Sequence, residues 1–205
     1  MVSISLNSVV INENFQGPNT LKDLVNHVAQ KHIGSETMIT GVKINQENIY
    51  GSGIFSDERS FGPNDQIQFF TQNRLELVFH LLDKSSLYLD QLIDKTSKVS
   101  AFYAQGLIDQ ADLIFLDLMD TMDIFIELMT NIHRTVRIEL SAKMSSGKSF
   151  HDLEIHLLSV LKAVLKAKEK QDIIMLYDLI EYELLDNLKQ WKIIAIPELR
   201  NLKTM

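Results

Sequence analysis

Gly62-Pro63-Asn64-Asp65-Gln66-Ile67-Gln68-Phe69-Phe70-Thr71-Gln72-Asn73-Arg74-Leu75-Glu76 is the stretch on which the fold turns. Glycine, proline, asparagine and aspartate in succession are turn formers, each by its own backbone chemistry. The β-prone residues Gln66 to Thr71 that follow read as a strand. Asn73 with Glu76 three residues on then reads as a helix N-cap, since the asparagine side chain can accept the orphan amide protons of the first turn. A strand closes and a helix opens here with no linker between them.

Glycine usage changes at the same place. Six of the eight glycines (Gly17, Gly34, Gly41, Gly51, Gly53, Gly62) precede residue 73, and only Gly106 and Gly147 follow it. Glycine suits tight turns and costs about 1 kcal/mol inside a helix. The chain therefore divides into a turn-rich domain, 1–72, and a helical domain, 73–205.

Working back toward the N-terminus, Val2, Ile4 and Leu6 alternate with polar residues, the period of a half-buried strand. A polar turn at Asn7 and Ser8 leads to a second β-prone run, Val9 to Phe15, which Gly17-Pro18-Asn19 breaks. Thr20 and Asp23 form a capping box, and Leu21, Leu24, Val25 and Val28 fall on one helical face. Gly34 is placed to end this helix. Met38 to Ile44 predicts a third strand and Asn48 to Tyr50 a short fourth, ahead of the final strand.

That order of elements, carried by Thr20-Leu21-Lys22-Asp23-Leu24, Val42-Lys43-Ile44-Asn45-Gln46 and Phe61-Gly62-Pro63-Asn64-Asp65-Gln66-Ile67, resembles the β-grasp or ubiquitin-like fold. It most resembles the sulfur-carrier proteins of thiamine and molybdopterin synthesis. The resemblance covers about a third of the chain. Those carriers end in a diglycine whose carboxylate is the chemical handle, whereas here the last strand runs through Gln72 into a helix. The resemblance thus implies a recognition module, without carrier chemistry, whose sheet face opposite the helix is the binding surface.

Working forward, Leu75, Val78, Leu82, Leu89, Leu92 and Ile93 place a helix from Asn73 to about Val99. A second helix runs to Leu140. Its apolar residues, among them Ala111, Ile114, Leu118, Met122, Phe125, Met129, Ile132 and Val136, cover about half the circumference, the expectation for a central bundle member. Phe150, Leu153, Leu157, Val160 and Val164 mark a third helix, opened by Ser149 and Asp152. Ile173, Leu176, Ile180, Leu184, Leu188 and Trp191 mark a fourth, which Pro197 is expected to end or kink. The expected fold class is α+β: a small β-grasp-like domain followed by an all-α, up-and-down four-helix bundle. The helical half is similar in size and style to bacterial flagellar and secretion export chaperones, which implies that it holds a partner's helices.

Composition narrows the function. The 205 residues are 45% hydrophobic and 23% charged, enough to build a core. A net charge of −7 argues against nucleic acid as a partner. Cysteine is absent, so thiolate metal sites, cysteine nucleophiles and disulfides are excluded. The apolar runs are far shorter than the ~20 residues of a membrane span, and the N-terminus reads as no signal peptide, so a cytoplasmic location without membrane insertion is expected.

Two motifs fail on geometry. Ser146-Gly147-Lys148-Ser149 resembles the end of a phosphate-binding loop, but Ala142 stands where that loop needs glycine. His151 and His156 point about 140° apart on a helix, so they cannot close on one ion with Glu154. No catalytic residues, metal ligands or cofactor are therefore assigned, and the protein is read as a non-enzyme. The most unusual feature is acidic. Asp109, Asp112, Asp117, Asp120, Asp123 and Glu127 lie in a stretch, Val99 to His133, without lysine or arginine. They are expected opposite the helix's apolar face, either solvated beside Lys162, Lys166, Lys168 and Lys170 or serving as a docking strip for a basic partner. Together these readings point to a protein-binding adaptor or chaperone-like protein, whose partner is a basic or amphipathic-helical protein or a second copy. The alternative is a small-molecule-sensing or metal-binding accessory protein with its site between the domains or on the acidic helix.

Overall fold

A computed structural model describes residues 2–11, 20–51, 53–139 and 148–204. The protein is α+β: a five-stranded mixed sheet precedes a helical region. The expected turn Gly17-Pro18-Asn19, the end of the run to Phe15, and Ser145, Ser146 and Gly147 of the expected loop Ser145–Lys148 lie outside the described residues. Two compact units form, Met1–Leu77 and Val78–Met205. The division falls just over one helical turn later than expected, because the first turn of the helix stays with the sheet: the Arg74 amide donates to the Glu36 carbonyl at 2.8 Å.

In the first unit β1 (Ser3–Leu6) and β2 (Val9–Ile11) form a hairpin across Asn7 and Ser8, both at positive φ. That is the backbone a two-residue hairpin turn with the native strand twist requires. Helix α1 (Leu21–His32) follows, then β3 (Thr37–Ile44), β4 (Glu47–Tyr50), the single turn α2 (Gly53–Ser56), which the sequence did not suggest, and β5 (Gln66–Asn73). The strand order is β2-β1-β5-β3-β4, with β1 and β5 parallel and the other neighbours antiparallel. Period-two alternation, reset in β3 by an irregularity between Ile39 and Gly41, sends Ile4, Ile39, Val42, Ile44, Ile67 and Phe69 to one face, where Leu21, Leu24, Val25 and Val28 of α1 meet them.

Thr20 caps α1 through its hydroxyl, which accepts the Asp23 amide at 3.3 Å. The next donors, Leu21 and Lys22 N–H, go to the carbonyls of Arg59 and Asp57. Gly34 is not the terminator of α1. Ile33 leaves the helix in extended conformation, and Gly34 sits in the turn beyond, where its carbonyl accepts the Thr37 amide.

The second unit is built from α3 (Arg74–Ala104), α4 (Ile108–Glu139), α5 (Lys148–Glu169) and a final helical run. That run comprises α6 (Ile173–Asp178), α7 (Leu185–Gln190) and α8 (Ile196–Asn201), joined by the π-helical segments Leu179–Leu184 and Trp191–Ala195. Asn73 caps α3 as expected, its side-chain oxygen accepting the Leu75 and Glu76 amides. Gly106 at φ +72° ends it, with Gly106 N–H on the Tyr103 carbonyl and Leu107 N–H on that of Phe102, the paired bonds of a Schellman turn. Gln171, at φ +56°, makes the same turn after α5.

Contacts fix the up-and-down order. Tyr88 and Lys95 of α3 reach Thr121 of α4, Thr130 of α4 reaches Glu154 of α5, and Asn187 of α7 reaches Leu153 of α5. Lys192 and Arg200 then return to Asp90 and Asp83 of α3. Trp191 fills the middle, edge-on to Phe125 at 5.3 Å and to Phe150 at 4.9 Å. Pro197 does not end the last run. Its missing N–H and its ring fall just after the second π-helical segment, and buried Ile196 and Leu199 hold the run in the bundle on either side.

Candidate functional site

Helix α4 has one buried face, formed by Ala111, Phe115, Leu118, Met122, Phe125, Met129, Ile132 and Val136 at three- and four-residue spacing. The opposite face is the acidic strip, and it is not purely acidic. Leu113, Leu116 and Ile124 stand on it at 74%, 65% and 59% exposure, interleaved with the carboxylates. The acids lie opposite the apolar face as expected, but the reading of α4 as a central helix is corrected, because exposed apolar residues stand among them. In a four-helix bundle α4 is one corner, and its apolar arc is wider than its neighbours can cover.

The six acids separate into two groups. Asp112 is structural: it accepts the Tyr103 hydroxyl at 2.6 Å and pairs with the Lys168 ammonium. Burial pushes its carboxyl up, but the Lys168 and Tyr103 hydrogen bonds outweigh that and hold it below the usual range. The same burial, reinforced by the carboxylate, raises the Tyr103 hydroxyl. Asp117 is structural too, pairing with Lys95 at 2.6 Å, while Lys95 also donates to the Thr121 hydroxyl at 2.9 Å. Asp109, Asp120, Asp123 and Glu127 are exposed and make no ion pair among the described residues. Of the four lysines expected beside the strip, Lys168 is the one that pairs with it.

The adjoining face of α5 has the complementary make-up. Ile155, Leu158 and Leu165 are about half exposed, and Lys162 and Lys166 lie among them. The pairs Asp112–Lys168, Thr130–Glu154 and His133–Phe150 set the antiparallel register of α4 and α5. In that register Leu116 is level with Leu165, Asp120 with Lys162, and Ile124 with Leu158. Leu116 and Asp123 thus border α5 on an open two-helix surface that is basic and apolar on α5, whereas Leu113 and Ile124 share the flank of Asp117, which pairs with Lys95 of α3. Sequence reasoning noted the acids and the lysines but missed the exposed leucines and isoleucines. Their signal was present: they fall outside the 100° stripe that the core residues occupy.

The two α5 histidines diverge as expected. His156 meets the Asn187 amide nitrogen at 2.9 Å and Glu183 at 3.4 Å, while His151 lies 3.7 Å from Glu154. His133 stacks on Phe150, and burial lowers its pKa, with Glu154 opposing. Among the described residues no three histidine, aspartate or glutamate side chains gather as a metal-binding group. Inside the bundle, beside Trp191, lies a cavity of about 10 Å³ lined by Phe125, Met129, Leu157 and Leu158, room for one water at most. On the sheet, Ser3, Ser5, Lys43, Asn45, Gln66 and Gln68 line an open polar concavity of about 420 Å³ on the face away from the core.

Residues 80–194, more than half of the chain, match the family described as "Domain of unknown function (DUF8042)". The chain belongs to that family. The DUF8042 segment begins in α3, contains all of α4 and α5, and stops within the second π-helical segment. The whole mixed acidic, basic and apolar surface is thus a feature of the DUF8042 part, and the sheet unit lies outside it. No curated protein and no solved structure matches the chain. No helix among the described residues is long and apolar enough to cross a membrane.

Proposed function

We propose that this DUF8042 protein is a non-enzymatic protein-binding module, chaperone-like in holding a partner helix along the outer face of α4. The observation that carries this reading is the placement of Leu113, Leu116 and Ile124 in water among Asp109, Asp120, Asp123 and Glu127. Exposed apolar side chains grouped on one face and rimmed by charge are the mark of a docking surface. A helix presenting leucine and lysine on one face would cover the apolar groups and neutralise the carboxylates. The β unit is read as a β-grasp module, which its strand order and the parallel β1–β5 pair support. Its polar sheet concavity is the second recognition surface in this reading.

The test uses the full chain and a fluorescently labelled synthetic helix with leucine and lysine on one face, followed by anisotropy. Binding should weaken with salt and fall at least tenfold in Leu116→Asp and Ile124→Asp. Equal binding of a scrambled peptide of the same composition, or indifference to both substitutions, would defeat the proposal.

A further inference from the structure

The surface that the proposed function relies on carries its own complement. The outer face of α5 is itself an apolar and basic helix face: Ile155, Leu158 and Leu165 with Lys162 and Lys166. We infer that the occupant of the α4 face is the α5 helix of a second copy, and that the protein is a twofold dimer through α4 and α5. This inference rests on the reading of that face as a docking surface.

Symmetry and charge select one arrangement. Two copies meeting face to face are related by a twofold axis lying in the interface. An axis across the helices would pack α4 on α4 antiparallel and bring Asp120 and Asp123 against Glu127 and Asp123 of the other copy, a core of like charges. An axis along the helices lays α4 on the partner's α5, because α4 and α5 are side by side and antiparallel. Heights are then shared between copies, so the register set by Asp112–Lys168, Thr130–Glu154 and His133–Phe150 applies across the interface as well. Leu116 meets Leu165 and Asp120 meets Lys162, each pair occurring twice. At the far end Arg134 of α4 comes within a helical turn of Asp152 of α5, so the charges complement one another there too.

The size fits a reversible dimer. About 20 residues of each helix at 1.5 Å rise, two helices about 10 Å wide, present roughly 600 Å² per copy. That doubles to about 1,200 Å², the lower edge of specific interfaces. A micromolar, salt-sensitive association follows, since charge sets register and on-rate while few leucines supply the affinity.

Sedimentation velocity of the full chain over low to high micromolar concentrations tests it. The expected result is a monomer–dimer equilibrium. Asp120→Lys and Lys162→Asp should each weaken it about tenfold, and the two together in one chain should restore it, because both symmetry-related pairs are re-formed with reversed sign. Far-UV circular dichroism verifies that each variant keeps its helices. A wild type that stays monomeric, a larger assembly, single swaps without effect, or a double swap no tighter than the singles would each overturn the inference. The leucine–lysine helix separates the two levels. A monomer that still binds it in a Leu116-dependent way refutes the dimer and keeps the docking surface, whereas failure of both experiments removes both.

Discussion

Trp191 gives the sharpest prediction about the bundle. The indole is 1% exposed, stands edge-on to Phe125 and Phe150, and its ring N–H has no hydrogen-bond partner among the described residues. Two effects of known size therefore oppose each other at one side chain. Truncation to alanine removes the whole ring and leaves a cavity between four helices, which costs about 3–5 kcal/mol. Replacement by phenylalanine removes about three heavy atoms, a loss of roughly 2 kcal/mol at ~0.8 kcal/mol per methylene-sized group. It also removes a buried donor whose desolvation is uncompensated, returning about 1–3 kcal/mol. Both edge-on ring contacts survive the change. Trp191→Phe should thus lie within about 1 kcal/mol of the wild type, and Trp191→Ala well below both. Urea unfolding of the full chain, followed at the helical circular dichroism band, measures the difference. Trp191 is also the only tryptophan, so its fluorescence in the wild type reports the helical unit alone. If Trp191→Phe costs as much as Trp191→Ala, the argument that the indole N–H is an uncompensated burden is refuted.

Three further outcomes are expected. Gly106→Ala should destabilise by about 1–2 kcal/mol, since its φ of +72° is left-handed, while Gln171→Gly at φ +56° should stabilise by up to about 1 kcal/mol, both read from urea midpoints. Asp112→Asn should cost about 1 kcal/mol through loss of the Lys168 and Tyr103 bonds, whereas Asp117→Asn, on a carboxylate 62% exposed, should stay within about 0.5 kcal/mol. His133 has a folded pKa below its usual 6.5, so the unfolded chain takes up the proton first. Its contribution is complete above that value and is lost as pH falls from 6.5 toward the folded pKa. His133→Gln should flatten this limb of the stability–pH curve, and an unchanged limb would assign it to other groups.

What could be read from the chain was what neighbours along it decide. The Asn7-Ser8 turn, the Thr20 and Asn73 caps and the Gly62–Asp65 turn are each hydrogen bonds between residues a few positions apart. The helical stretches followed from periodic burial, whereas the strand order was not read from the chain, because pairings such as β1 with β5 join residues about 60 positions apart. The expected end of α1 at Gly34 and the expected stop at Pro197 failed for a related reason. Both rules describe an isolated helix, and here packing chose otherwise: Ile33 turns the chain toward β3, and the bundle core holds a π-helical run through the proline.

The candidate surface depended on distance in space. Six acids looked alike in the sequence, yet Asp112 is neutralised by Lys168 and Asp117 by Lys95, partners brought close only by the bundle. A helical wheel shows which residues share a face but not how many neighbours that face will have. Sequence thus determined that α4 is acidic on one side and apolar over a wide arc. Tertiary structure decided that Leu113, Leu116 and Ile124 stay in water, because a corner helix of a four-helix bundle is covered by its neighbours on only part of its circumference.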